Sequence, residues 1–375
     1  MQRTAHTDDY RSKLRSFGRQ SAPPTNSAEE DGRRAEIKTG DDGDLMALAG
    51  VVFFLANAHA SLCRSDAMSC MKWLKRLPLP HYRSGYAQQL LGSAYFAISD
   101  YRACMLVLRE MLRMEPYRTA GLEILSTALW HLKKEKELAA LAQQSTAVDK
   151  LSPEVWCVVG NCFSLQREHQ SAIRFFERAL QLNTSFVYAH TLCGHEHFAN
   201  DNLDKAIASF RLAIALDERH FNAWYGLGVV FFRQERLDLA EHHFRRALSL
   251  NPNSSVLRCY LGMVLHQSAD GARRMEALEV LQDACLSDSR NAQLHFQLAH
   301  VLLALDRVED AYTSLQVVQE LAPREAPVFS LLGQVCLRLG YRAQAAGHFN
   351  TAVALDGKEA AAMKLAYETF DPSPL

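Results

Sequence analysis

The sequence predicts an all-α fold, a superhelical solenoid of antiparallel helix pairs, and three ladders of residues carry that prediction. The first ladder is small. Gly92, Ser126, Gly160, Gly194, Gly228 and Gly262 stand 34 residues apart, Ala299 follows 37 later, and Gly333 comes 34 after that. The second stands twelve residues downstream, at Cys104, Leu138, Ala172, Ala206, Ala240, Ala311 and Ala345, with Ala277 displaced by an insertion. The third, four further on, is Leu108, Ala142, Phe176, Phe210, Phe244, Leu281, Leu315 and Phe349. Self-similarity at a fixed period of roughly 20–50 residues means a solenoid or array.

The offsets have a physical meaning. Steps of three and four put apolar residues on one helix face. The small residue lets a second helix approach closely, the downstream Ala is its contact, and the Phe fills the gap beside them. Proline cannot continue a helix, so Pro116, Pro252 and Pro323 mark exits into the next unit. This is the 34-residue tetratricopeptide pattern, two helices per repeat.

Taken in order, residues 1–43 are polar and highly charged, with large apolar side chains only at Leu14, Phe17 and Ile37. Such a segment cannot bury enough surface to offset its ordering entropy, so it is expected to be disordered. Residues 44–82 are expected to form a divergent helical pair, Leu45–Leu62 and Met68–Leu77, ended by Pro78 and Pro80. The run Leu45–Leu62 is near the lower limit for a membrane span, but Asn57 and His59 interrupt it, and a buried helix is expected. Residues 85–357 hold eight repeats, beginning near Gly85, Thr119, Pro153, Val187, Phe221, Ser255, Ala292 and Ala326. The three extra residues of the sixth fall in SADGARR, Ser268–Arg274, where a longer loop is expected. Ala142 and Ser145 predict looser packing in the second repeat. Residues 358–370 read as a capping helix, as solenoids require, and 371–375 as a tail.

Composition limits the function. A net charge of −1 and a pI of about 6.9 leave no basic stripe for nucleic acid. Nine cysteines occur without a C-x-x-C pair, mostly at apolar helix positions, which fits small hydrophobes in a reducing compartment. No phosphate loop, G-x-S-x-G or H-E-x-x-H is present, and Gly226-x-Gly228 lies inside a repeat helix, so neither a catalytic site nor a cofactor is expected. His190, Cys193, His195 and His197 tempt a zinc reading, but three of them occupy packing positions of the repeat.

The inner face of the superhelix is the expected binding surface. It is lined by the first helix of each repeat at −6, −3, +1, +4 and +5 from the small residue. The second repeat supplies Glu123, Thr127, Trp130 and His131, and the third Glu154, Cys157, Asn161, Ser164 and Leu165. The fourth supplies Tyr188, Thr191, His195 and Phe198, and the fifth Asn222, Tyr225, Val229, Phe232 and Arg233. Amides, hydroxyls and aromatics in this mixture suit an extended peptide.

Several strings exceed generic repeat consensus: STALWHL at 126–132, SPEVWCVVGNCFSLQREH at 152–169, YAHTLCGHE at 188–196, RHFNAWYGLG at 219–228 and NPNSSVL at 251–257. Together they resemble the cell division cycle protein 27 family from about Asp44 to about Gly357. The resemblance implies a non-catalytic scaffold subunit of the anaphase-promoting complex, a ubiquitin ligase of nucleus and cytoplasm that controls mitotic progression. It implies other subunits of that complex as partners, and a groove receiving the C-terminal Ile-Arg tails of coactivators and of a core substrate-recognition subunit. On chemical grounds Asn161, then Asn222, is expected to hold the tail carboxylate. Glu123 or Glu154 is expected to pair the Arg, and Leu165, Tyr188 and Phe198 to hold the Ile. The resemblance also implies a preceding repeat array used for homodimerisation, which this chain is expected to lack. The competing expectations are a co-chaperone-type adaptor, for which the groove offers Arg233 as a clamp and little else, and a glycosyltransferase regulatory array.

Overall fold

The computed structural model describes residues 41–268 and 271–370. Of the segment 1–43 expected to be disordered, residues 1–40 lie outside the described residues, as does the tail 371–375, and the expectation is corrected at 41–43, which form the first turn of a helix. All elements among the described residues are helices. They run α1 (Asp41–Cys63), α2 (Ala67–Leu74), α3 (Leu79–Tyr82), α4 (Gly85–Ala97), α5 (Tyr101–Met114), α6 (Leu122–His131), α7 (Glu135–Val148), α8 (Pro153–Leu165), α9 (His169–Leu182), α10 (Val187–Ala199) and α11 (Leu203–Leu216). They continue through α12 (Phe221–Arg233), α13 (Leu237–Leu250), α14 (Ser255–Gln267), α15 (Gly271–Ser287), α16 (Ala292–Ala304), α17 (Val308–Leu321), α18 (Ala326–Arg338), α19 (Arg342–Leu355) and α20 (Glu359–Phe370). The tetratricopeptide register is therefore the observed one. The chain divides into two compact units at Gln166/Arg167, between the two helices of the third repeat.

The repeat core follows the ladders. The side chain nearest the small residue is that of the third ladder, a phenylalanine ring or a leucine. A Cβ added to Gly194 would lie 2.6 Å from Phe210, one on Gly228 2.6 Å from Phe244, and one on Gly333 2.7 Å from Phe349. The ring of Phe210 is also approached by Gly226 of the next repeat, whose Cβ would lie 2.3 Å away. Phe210, Phe244 and Phe349 are fully buried.

Among the described residues, the turn inside seven of the repeats is built on a left-handed residue. Ser99, Lys133, Arg167, Asp201, Glu235 and Asp306 all have φ between 54 and 63°, and Gly340 has φ 81°. The next residue donates its N–H back to the helix five residues earlier, as Asn202 does to His197 O (2.8 Å) and Arg236 to Phe231 O (3.0 Å). This left-handed stop satisfies carbonyls that the helix end leaves open.

Four further expectations are corrected. The sixth-repeat insertion does not lengthen the turn. It lengthens α15 to 17 residues, where α13 has 14, because an extra N-terminal turn needs no apolar residues. The second repeat begins later than Thr119, since Gly121 (φ 95°) delays α6 and leaves it with 10 residues. Finally α1 is not a buried helix. Val51, Ala58 and Ser61 are buried, but Leu45, Met46, Leu48, Val52 and Phe53 are 55–75% exposed, because among the described residues α1 packs chiefly against α2 and α4. By length and composition this helix could cross a membrane. Pro80 does not end the pair but sits inside the short α3. At the other end α20 buries Ala366 near Cys336 and Phe349, as a cap should.

Candidate functional site

In the first unit, the inner residues of α6 and α8 are welded to each other. Ser126 and Thr127 each donate a hydroxyl proton to Glu123 O, at 2.8 and 3.0 Å. Their oxygens then accept both hydrogens of Asn161 Nδ2, at 2.8 and 3.0 Å. Trp130 Nε1 donates to Ser164 Oγ at 3.1 Å. The sequence brings this about by placing each partner one period, 34 or 35 residues, from the other. Asn161 is 3% exposed and Ser164 7%. The expectation that the Asn161 amide donates to a tail carboxylate is thereby corrected: both N–H groups are committed within the fold, and Oδ1 is the atom left as an acceptor.

The two candidate acids lie close enough to feel each other. Burial pushes the Glu123 carboxyl up to about 7, and the charge of Glu154 adds to the rise. Glu123 also accepts from Gly121 N–H at 3.0 Å, and Glu154 accepts from the Ser152 hydroxyl. Leu165 packs half-buried against the core of this unit. Lys133 stands over the Trp130 ring, 4.4 Å from its centroid, and Tyr101 stacks on His131 at 4.1 Å.

In the second unit the inner face is aromatic. His195 meets Phe210 edge-on at 5.0 Å, and Tyr225 meets Tyr260 edge-on at 5.3 Å. Phe198 carries the guanidinium of Arg233 at 5.2 Å. Arg233 also binds Asp201 at 3.0 Å, so the one cation offered for a co-chaperone clamp is already engaged. Arg338 and Asp306 repeat this pairing further along. Thr191 is buried and donates its hydroxyl to Val187 O at 3.0 Å, which takes it out of the inner surface. Tyr188 lies near Phe186 at 6.3 Å, and Asn222 is half-buried at the start of α12.

The position four before the small residue carries a device that sequence reasoning missed. Gln88, Trp156, His190, Trp224, Arg258 and His295 each reach the backbone carbonyl six residues earlier, at 2.7–3.2 Å. A carbonyl only accepts, so His190 and His295 carry their proton on Nε2. The shared property is a side-chain N–H rather than size, and the residue types alone contained that signal. It also explains His190 without a metal. Among the described residues no cluster of His, Cys, Asp and Glu is arranged to hold an ion. Burial pushes the Cys193 thiol up to about 12, as it does for Cys104 and Cys259, which makes these inert packing groups.

A tetratricopeptide-repeat family model matches residues 194–255. Over 306 residues the chain is 39% identical to anaphase-promoting complex subunit 3 of Schizosaccharomyces pombe, covering 82% of this chain and 45% of that protein. It is 41% identical over 297 residues to cell division cycle protein 27 homolog B of Arabidopsis thaliana, covering 78% and 39%. The chain is a homologue of the cell division cycle protein 27 family. It spans less than half the length of these relatives. The fold is shared with a solved anaphase-promoting complex hetero-tetramer of Cut9 and Hcn1, at a TM-score of 0.64 and 15% identity over 87% of this chain and 73% of that one.

Proposed function

We propose that this homologue is a scaffold subunit of an anaphase-promoting complex, working in nucleus and cytoplasm without catalysis of its own, and that its inner repeat faces receive C-terminal Ile-Arg tails. The observation that carries the first part is the extended identity to proteins named for that complex. The second part rests on chemistry. On the first unit, Glu154, with Glu123 beside it, offers a half-desolvated acid for a guanidinium, and Asn161 Oδ1 accepts a peptide N–H. Trp130, Ser164 and Leu165 form the surrounding wall. Taken by itself, the second unit offers a peptide an amide at Asn222 and apolar contact at Tyr188, His195, Phe198 and Tyr225.

Glu154 is the better acid for the Arg, because burial leaves Glu123 partly protonated at neutral pH. A double-mutant cycle tests this pairing. Glu154→Gln should weaken an Ile-Arg peptide by about tenfold, the size of one charge-assisted hydrogen bond. The same change should leave an Ile-citrulline peptide unaffected. Equal losses for both peptides would refute the assignment.

A further inference from the structure

We propose that His266, Arg274 and His300 form an oxyanion subsite on the inner face of the second unit, which takes a carboxylate or phosphate group carried by an extended peptide.

The repeat itself marks Arg274 as out of place. It stands three residues before Ala277. Leu203, Leu237 and Val308 hold the same place in α11, α13 and α17, and they pack on the core of this unit. Two other polar residues of the unit occur there. His169 is paired with Glu196 at 2.8 Å, and Arg342, in the last repeat, is exposed. Arg274 is half-buried, and its Nε is buried without a hydrogen-bond partner among the described residues. A guanidinium is always charged and only donates. A buried donor left unpaired is costly, so the position calls for an acceptor.

Two histidines converge on it. His266 stands four after Gly262 and His300 one after Ala299, both inner-face positions of the repeat. His266 Nδ1 is also buried without a partner among the described residues. Burial lowers the pKa of His266, and the charge of Arg274 adds to the fall. Burial lowers that of His300 as well, and the charge of His266 adds to it. His266 is therefore the middle of the three, and among the described residues no carboxylate acts on either ring. Phe296 meets the His300 ring edge-on at 4.7 Å. The charges beside these residues in sequence are engaged elsewhere: Arg273 with Asp238 and Glu241, Glu276 with Arg245, Asp306 with Arg338, and Arg307 with Asp310.

This chemistry selects the ligand. One fixed cation and two titratable rings, with no acid among them, repel a cation. An oxyanion accepts from the guanidinium and from imidazolium rings, whose two nitrogens both donate. Its charge also offsets that of Arg274, so the rings take up protons from solvent as it binds. All three side chains are half-buried, so part of each stays open to a ligand. A peptide is the carrier because the concave face of a solenoid is an extended binding surface. The Ile-Arg reading uses none of these three residues, and the two proposals fail separately.

The test is proton–carbon NMR of the full chain with isotope-labelled histidine at neutral pH. The His266 and His300 signals are assigned by their loss in His266→Gln and His300→Gln. The probes are inorganic phosphate and acetate, each titrated to about 50 mM, which reaches a millimolar site, with chloride holding ionic strength constant. Both signals should move saturably toward the imidazolium position. Movement with phosphate alone assigns the site to a phosphorylated residue, and movement with acetate to an acidic side chain. Arg274→Leu, which restores the residue type of the other repeats, should weaken the anion at least about tenfold, the loss of one charge-assisted contact. Arg274→Gln repeats the test if that variant loses helicity. Histidine signals that respond to neither anion overturn the proposal. Equal responses in the wild type and the Arg274 variants also overturn it, as an effect of salt alone.

Discussion

Gly194→Ala should destabilise the second unit through a single contact. The added methyl would lie 2.6 Å from Phe210 Cε1 and 2.7 Å from Cδ1 and Cζ, whereas ordinary contact is 3.4–4 Å. The ring has little room to retreat, because it also packs against Gly226 so closely that a Cβ added there would lie 2.3 Å from it. Helices α10 and α11 must therefore move apart by several tenths of an ångström, a cost of about 1–3 kcal/mol for overpacking a core. The chain itself suggests the remedy. Where the small residue is Ala299, its partner is Leu315 rather than Phe, and where it is Ser126, its partner is Ala142. Phe210→Leu alone should cost about 1 kcal/mol, and the double variant Gly194→Ala/Phe210→Leu should recover at least about 1 kcal/mol relative to the sum of the singles. Urea denaturation followed by circular dichroism measures this, with hydrogen exchange in α10 and α11 to localise it, since repeat arrays need not unfold in one step. A neutral Gly194→Ala, or strictly additive singles, would refute the packing argument.

Other outcomes follow from the same geometry. Trp224→Phe keeps the ring but removes the N–H that reaches Glu218 O at 2.9 Å, and urea denaturation should show a loss of about 1 kcal/mol; an unchanged midpoint would make that bond incidental. Glu235→Gly relieves a left-handed residue (φ 58°) and should raise stability by about 1 kcal/mol in the same assay; a loss would mean the turn is not strained. Burial raises the folded-state pKa of Glu123 from 4.5 to about 7, so the folded chain holds a proton that the unfolded chain releases. Stability should then fall as pH rises from about 4.5 to 7, and Glu123→Gln should flatten that slope. Thermal melts at pH 5 and pH 8 check this, and equal slopes in both proteins would contradict it.

The repeat register was legible because a period constrains every position at once. A wrong phase would have put Phe176, Phe210 and Phe244 in water. Periodicity does not say which of two residues on the facing helix lies nearest a glycine. It also cannot separate a loop from an extra helical turn when the inserted residues are polar, as in SADGARR. The exposure of α1 was hidden because lack of charge signals burial only if neighbours exist on all sides. At the inner face, spacing correctly aligned Ser126, Thr127, Asn161 and Ser164 on adjacent helices. It could not say that Asn161 spends its N–H groups on its neighbours, since that depends on angles between helices. The N–H donors at the Trp156 position were readable in principle, through what Gln, Trp, His and Arg share.

The central claim is that this chain receives peptide C-termini. The most direct measurement is fluorescence anisotropy of the chain with a short labelled peptide ending in Ile-Arg, beside the same peptide amidated at its C-terminus. The account predicts saturable binding to the free acid that is weakened at least about tenfold by amidation, the loss of one charge-assisted contact. Equal binding of the two peptides, or binding of neither, would contradict it.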